Sequence, residues 1–141
     1  MKINRATDYG VRLMVYLAAC EGRVVPRAEI ASAMEIPPEF LAKIAQHLAK
    51  AGLLEIRQGR AGGYRLKRPS QEITLLEVVE ALEGEIALNL CVGHPESCRF
   101  SPTCKVHLVW EAATEGLRDL LGNIYLANLI EKKAKSDEEV G

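Results

Sequence analysis

No apolar run in this 141-residue chain approaches the roughly 20 residues needed to span a bilayer. The amino terminus, with Asn4, Arg5 and Asp8 among its first residues, has no signal-peptide core. A cytoplasmic protein with no membrane partner is therefore expected. Catalytic signatures are missing too: no nucleophile is paired with a base and an orienting group, and no phosphate-binding glycine loop follows a strand, so no enzyme is expected. Cysteine is scarce, four residues in all, and in a cytosolic chain of this size such cysteines suit metal ligation or redox chemistry better than a disulfide framework. Net charge is nearly absent as well, at −1.

What is present is a 48% hydrophobic composition, enough for one compact domain plus an appendage and not that of a disordered chain. The small net charge hides a segregation. Residues 1–69 hold 12 Lys and Arg against 6 Asp and Glu, a formal +6, and residues 70–141 hold 6 against 13, a formal −7. A basic first half suits a polyanionic partner, with chance asymmetry as the plainer alternative.

Along that basic half, Asn4 or Thr7 opens a helix that carries Tyr9, Leu13, Tyr16 and Leu17 on one face and runs to Glu21, with Gly22 as its stop. Residues 27–34 read as a short second helix after Pro26. Pro38 fits the first turn of a third, because that position has no use for the missing N–H. The third helix turns Leu41, Ile44, Leu48 and Ala51 inward, with Gly52 as its end. Two short helices about a tight turn match a helix-turn-helix whose second helix lies in the major groove.

On the outer face of that helix remain Glu39, Phe40, Lys43, His47 and Lys50, whose side-chain types suit base or phosphate contact, although each taken alone is equally a solvated surface residue. Residues 53–57 and 63–67 alternate as two strands around a glycine-rich tip. This hairpin reads as a wing, with Arg57 on its first strand and Arg60 at the tip placed for a minor groove or a phosphate. The expected fold is mainly α with a small β-hairpin: a winged helix-turn-helix over residues 1–69.

From residue 70 the character changes. Residues 73–82 form a capped helix, Thr74 near its start and Gly84 near its end, expected to pack on the winged half. A loop follows that holds Cys91, Cys98 and Cys104, with His107 three residues on, so that residues 70–104 form a connecting and cofactor-binding segment. A loop of this length wraps a multinuclear cluster, for which a rigid helix would point the thiolates apart. Cys3His is also a zinc set, but only Cys104 and His107 have the close pairing usual for zinc; redox-active thiols are the third possibility. Cys20, among Leu17, Ala18 and Ala19, reads as a small buried apolar group outside the site.

Beyond Cys104 one long helix is expected to about residue 133. It has apolar or small residues at Val106, Trp110, Ala113, Leu117, Leu120, Ile124 and Ala127, in alternating steps of four and three. Such a seam is expected to cross a partner helix, in a chain this small a second copy, which would also match two operator half-sites, with burial against its own domain as the plainer alternative. Residues 134–141 read as a polar, frayed tail.

The layout over residues 1 to about 131 resembles the IscR-type iron–sulfur cluster regulators and their nitric-oxide- and iron-sensing relatives. The resemblance is carried by residues 6–10 (ATDYG), the wing 57–64 (RQGRAGGY), the cysteine triad and the run 104–107 (CKVH). It implies a homodimeric winged-helix repressor or activator that binds an operator in double-stranded DNA. It also implies a 2Fe-2S cluster on Cys91, Cys98, Cys104 and His107, exchange with cluster-donor proteins, and control of cluster-assembly or stress genes. The nitric-oxide-sensing relatives hold a 4Fe-4S cluster with an aspartate from the other subunit, and Asp8 stands at the matching place. Asp8 also has a local partner, Arg12, at helical i,i+4 spacing. A regulator without cofactor, acting through a protein partner under thiol-redox control, is the remaining alternative.

Overall fold

The computed structural model describes residues 2–130. Helix α1 (Arg5–Ala19) begins where the Asn4 side chain accepts a hydrogen bond from the Thr7 N–H at 2.8 Å. It buries Tyr9, Leu13, Met14 and Leu17. Helix α2 (Arg27–Met34) ends at Glu35, whose left-handed backbone (φ 52°) swings the chain back, and the fully enclosed Ile36 anchors the turn into α3 (Pro38–Lys50). Leu41, Ile44 and Leu48 face inward on α3 as their spacing requires. Ala51, expected inside, is exposed and lies beyond the helix end; Ala45, six residues earlier, is buried beside Ile44 instead.

Strands β1 (Leu54–Arg57) and β2 (Gly63–Leu66) pair antiparallel, Leu54 opposite Leu66 and Arg57 opposite Gly63. Val25 adds a third extended segment, exchanging backbone hydrogen bonds of 2.8 and 2.9 Å with Tyr64. Gly63 is required here. Its φ is +153°, and a Cβ at this position would stand 2.1 Å from the Val25 carbonyl oxygen. The hairpin is thus fastened to the entry of α2, and the whole is a winged helix-turn-helix.

Helix α4 (Leu75–Glu83) opens with a reciprocal capping box: the Thr74 hydroxyl accepts from the Glu77 N–H, and the Glu77 carboxylate accepts from the Thr74 N–H. It packs chiefly against α1. The segment expected as plain loop contains two helical turns, α5 (Leu90–Gly93) and a 3-10 turn over Pro95–Ser97, before α6 (Lys105–Gly122).

Helix α6 is shorter than its seam predicts. It stops at Gly122 with Asn123 as cap, and the chain returns to the core: the Leu75 N–H donates to the Ile124 carbonyl at 2.7 Å and the Leu126 N–H to that of Ile73 at 2.9 Å. Leu126 becomes fully buried, and continuing the helix would forfeit that burial. Ile124 and Ala127 therefore leave the seam. The expected tail, and the last residues of the expected helix, lie outside the described residues. Among the described residues no helix is long and apolar enough to cross a membrane.

Candidate metal centre and nucleic-acid interface

The cysteine segment is shaped by local hydrogen bonds. The Asn89 side chain accepts from the Leu90 N–H, the His94 N–H closes α5 onto the Leu90 carbonyl, and Cys104 serves as the N-cap of α6, which places His107 one turn into that helix. Cys91, Cys98, Cys104 and His107 all line one cavity of about 360 Å³, whose apolar part is Leu90, Val106 and Trp110. All three cysteines are free thiols, half-buried, and His107 is only 7% exposed.

The His107 ring is held on both sides. Its Nδ1 lies 3.1 Å from the Cys91 Sγ, and its Nε2 meets the Glu111 carboxylate one turn further along α6. The Ser101 hydroxyl, from the stretch of chain between Cys98 and Cys104, is buried without a hydrogen-bond partner among the described residues, and Ser101 does not line this cavity. Three soft sulfurs and one imidazole fit a thiolate-bound iron group by donor chemistry. No three His, Cys, Asp or Glu side chains among the described residues surround a single ion-sized point, so the four donors share a cavity without closing on one ion. Asp8 does not line it. It makes a 2.9 Å ion pair with Arg12 beside a separate polar cavity with Arg5 and Glu35. Cys20 lies apart as well, 3.4 Å from an Arg23 guanidinium nitrogen.

On α3, the side chains of Glu39, Phe40, Lys43, His47 and Lys50 are all exposed. They do not share one direction. Phe40 leans toward α1 in an edge-on contact with Tyr9, ring centroids 6.0 Å apart, and His47 lies on that same flank by helical rotation. The face opposite the core is Glu39, Lys43, Gln46 and Lys50. Gln46 was not among the expected readers, yet it lies seven residues after Glu39 and three after Lys43, so helical rotation alone could have found it. With Arg27, Arg57, Gln58 and Gly59 it borders a cavity of about 250 Å³ between α3 and the hairpin.

Arg57 is braced rather than free: its Nε donates to Glu55 at 3.0 Å, and Arg65 donates to the same carboxylate. Those two guanidinium groups, Arg57 before Arg65, hold the Glu55 carboxyl below its usual range. Arg60 stands exposed at the hairpin tip.

Residues 3–132 match the Rrf2 family, described as an iron-dependent transcriptional regulator. A protein of Mycobacterium tuberculosis (strain H37Rv), named as an HTH-type transcriptional regulator, is 35% identical over 130 residues, spanning 92% of this chain and 81% of its own length. Among solved structures, Staphylococcus aureus CymR in its oxidized form superposes with a TM-score of 0.71 at 30% identity, covering 93% of this chain and 97% of that one. T. potens IscR superposes with a TM-score of 0.74 at 26% identity, covering 99% and 90%.

Proposed function

The chain belongs to the Rrf2 family of DNA-binding transcription regulators, and on that premise we propose that its DNA binding is governed by an iron–sulfur cluster held by Cys91, Cys98, Cys104 and His107. The observation that supports this is the single cavity lined by all four donors, on a chain whose other half is a winged helix-turn-helix. A 2Fe-2S cluster is favoured because His107 completes four ligands without a second chain. A 4Fe-4S cluster with Asp8 from a second copy is the variant of this reading, and there the Asp8–Arg12 pair would have to open.

When bound, the cluster supplies a charge and an oxidation state that respond to iron, oxygen or nitric oxide. The chain's own residues carry the response. Cys104 occupies the N-cap position of α6, so a cluster that drew the three thiolates together would shift the first turn of that helix relative to α5. The Glu80–Arg118 ion pair ties α6 to α4, as does the cap that the Thr114 hydroxyl gives the Leu88 N–H just after α4. Helix α4 in turn packs on α1, and α1 on α3. Coupling of about 1–3 kcal/mol along this route is enough to change operator affinity 5- to 150-fold.

The working unit in this reading is a homodimer. Val106, Val109 and Leu120 of α6 are 54, 59 and 60% exposed, an apolar stripe that a second copy would cover while setting the distance between two α3 helices. Genes of cluster assembly or stress response are the expected targets, with cluster-donor proteins as further partners.

Iron and acid-labile sulfide per chain, with the visible spectrum, on protein purified without oxygen test the proposal. About two irons per chain, disturbed by His107→Ala and not by Asp8→Ala, is the expected result; about four, dependent on Asp8, selects the 4Fe-4S variant. Colourless, iron-free protein overturns both. It would favour a second reading, thiol-redox control through a protein partner, which draws on the imidazole beside the Cys91 thiol and on the likeness to a CymR solved in its oxidized form.

A further inference from the structure

His107 stands between two partners of different chemistry, a sulfur at Nδ1 and a carboxylate at Nε2. We propose that Glu111 is a positioning residue: it fixes the proton of the neutral His107 ring on Nε2, so that Nδ1 is the nitrogen offered to the cysteine cavity. The inference rests on the reading of His107 as a cluster ligand and adds which atom ligates and what selects it.

An ionised carboxylate only accepts hydrogen bonds, so the imidazole nitrogen against Glu111 must carry a hydrogen. In the neutral ring the lone pair then lies at Nδ1, which faces Cys91. The reverse tautomer would set a lone pair against the carboxylate and an N–H toward the space a metal centre must enter. Geometry supports a fixed ring: His107 and Glu111 are four residues apart on one helical face, and His107 is 7% exposed while Glu111, about half exposed, reaches it from the solvent side. Metal-bound histidines commonly give their second N–H to such a carboxylate, and losing that partner typically costs 10- to 100-fold in metal affinity. Glu111 sits on an exposed helix surface, where alanine is a favourable residue, so its removal leaves the fold in place.

Nitrogen-15 NMR of histidine-labelled protein without cluster reads the tautomer directly, His107→Ala identifying the signal among the three histidines. The expected result is an Nε2–H ring in wild type and in Glu111→Gln, whose amide oxygen still accepts, and a mixed ring in Glu111→Ala. After anaerobic reconstitution, Glu111→Ala should lose iron about 10- to 100-fold more readily than wild type, with Glu111→Gln close to wild type. An Nδ1–H ring in wild type, or a tautomer and iron retention indifferent to Glu111→Ala, overturns the proposal. Full iron retention in His107→Ala instead overturns the ligand reading, and the tautomer result stands apart from it.

Discussion

Leu82 of α4 occupies the space that a side chain on Gly10 of α1 would need: its Cδ1 lies 2.1 Å from where a Cβ would stand, with Ile44 of α3 3.3 Å away. Three helices meet at this one point, two from the DNA-reading half and one from the connecting segment. Gly10→Ala should therefore destabilise the protein by at most about 2 kcal/mol, the overpacking against Leu82 and Ile44 being offset by about 1 kcal/mol of gained helix propensity. Leu82→Ala vacates the notch, so in that background the same substitution should cost much less. Urea unfolding of the four proteins of this cycle is the check, and additive effects would remove the notch as the cause.

Gly63 meets backbone rather than a methyl group. The Val25 carbonyl cannot turn aside, because Val25 and Tyr64 bind each other through both backbone groups. Gly63→Ala should release the hairpin from the entry of α2, so hydrogen exchange at the Val25 and Tyr64 amides should rise while the interior of α1 stays protected. Unchanged protection at those two amides would show that the bridge is not what Gly63 serves.

Glu29 joins α1 to α2. Hydrogen bonds from Arg23 first and then Tyr16, working against partial burial, hold its carboxyl down to about 2. A depressed folded-state value adds stability above the unfolded value near 4.3, lost as pH falls toward 2. The stability gap between wild type and Glu29→Gln should be constant above about pH 5.5 and close steadily below it. A gap independent of pH down to 2.5 would show that the ion pair is not its source.

Most of this architecture was legible in the sequence, because Asn4, Thr74, Pro38 and Gly84 are local signals acting on the next few residues. The end of α6 was not. The four–three seam runs on through Ile124 and Ala127, and only the tertiary vacancy that Leu126 fills tells the chain to leave the helix. That Cys91, Cys98, Cys104 and His107 belong together could be expected from residue types alone, and the structure brings them to one cavity, whereas the bond between His107 and Glu111 required the i,i+4 face to be considered. Gln46 was missed for a similar reason: its side chain is less conspicuous than its charged neighbours, although its rotation places it on the same stripe.

If α3 and the hairpin both meet an operator, Gln46 of that stripe and Arg60 of the hairpin tip should make two different kinds of DNA contact. Gln46, beside the cleft to the hairpin, is suited to a bidentate bond to adenine, and its loss should cost about 1–3 kcal/mol on a selected operator. Being uncharged, Gln46→Ala should leave the salt dependence alone. Arg60→Ala should lower the slope of log affinity against log salt by about one, across all sequences, as a lost phosphate contact does. Titrations of selected and scrambled duplexes at several salt concentrations distinguish the two. A changed slope for Gln46→Ala, or an unchanged one for Arg60→Ala, would reverse the assignment.

The apolar stripe of α6 carries the last prediction. A single exposed leucine on a helix is ordinary, but Val106, Val109 and Leu120 lie along one helix with Trp110 between them, 38% exposed. If a second copy covers the stripe, wild type should sediment at twice the 15.5 kDa chain mass. Leu120→Glu and Val109→Glu should then sediment as monomers with unchanged helical content, because neither side chain supports its own chain's core. DNA binding separates assembly from folding: the monomeric variants should still bind one half-site weakly through α3 and the hairpin, and lose the preference for two correctly spaced half-sites. Wild type sedimenting at 15.5 kDa would remove the dimer, and variants that remain dimeric would place the contact between copies elsewhere on the surface.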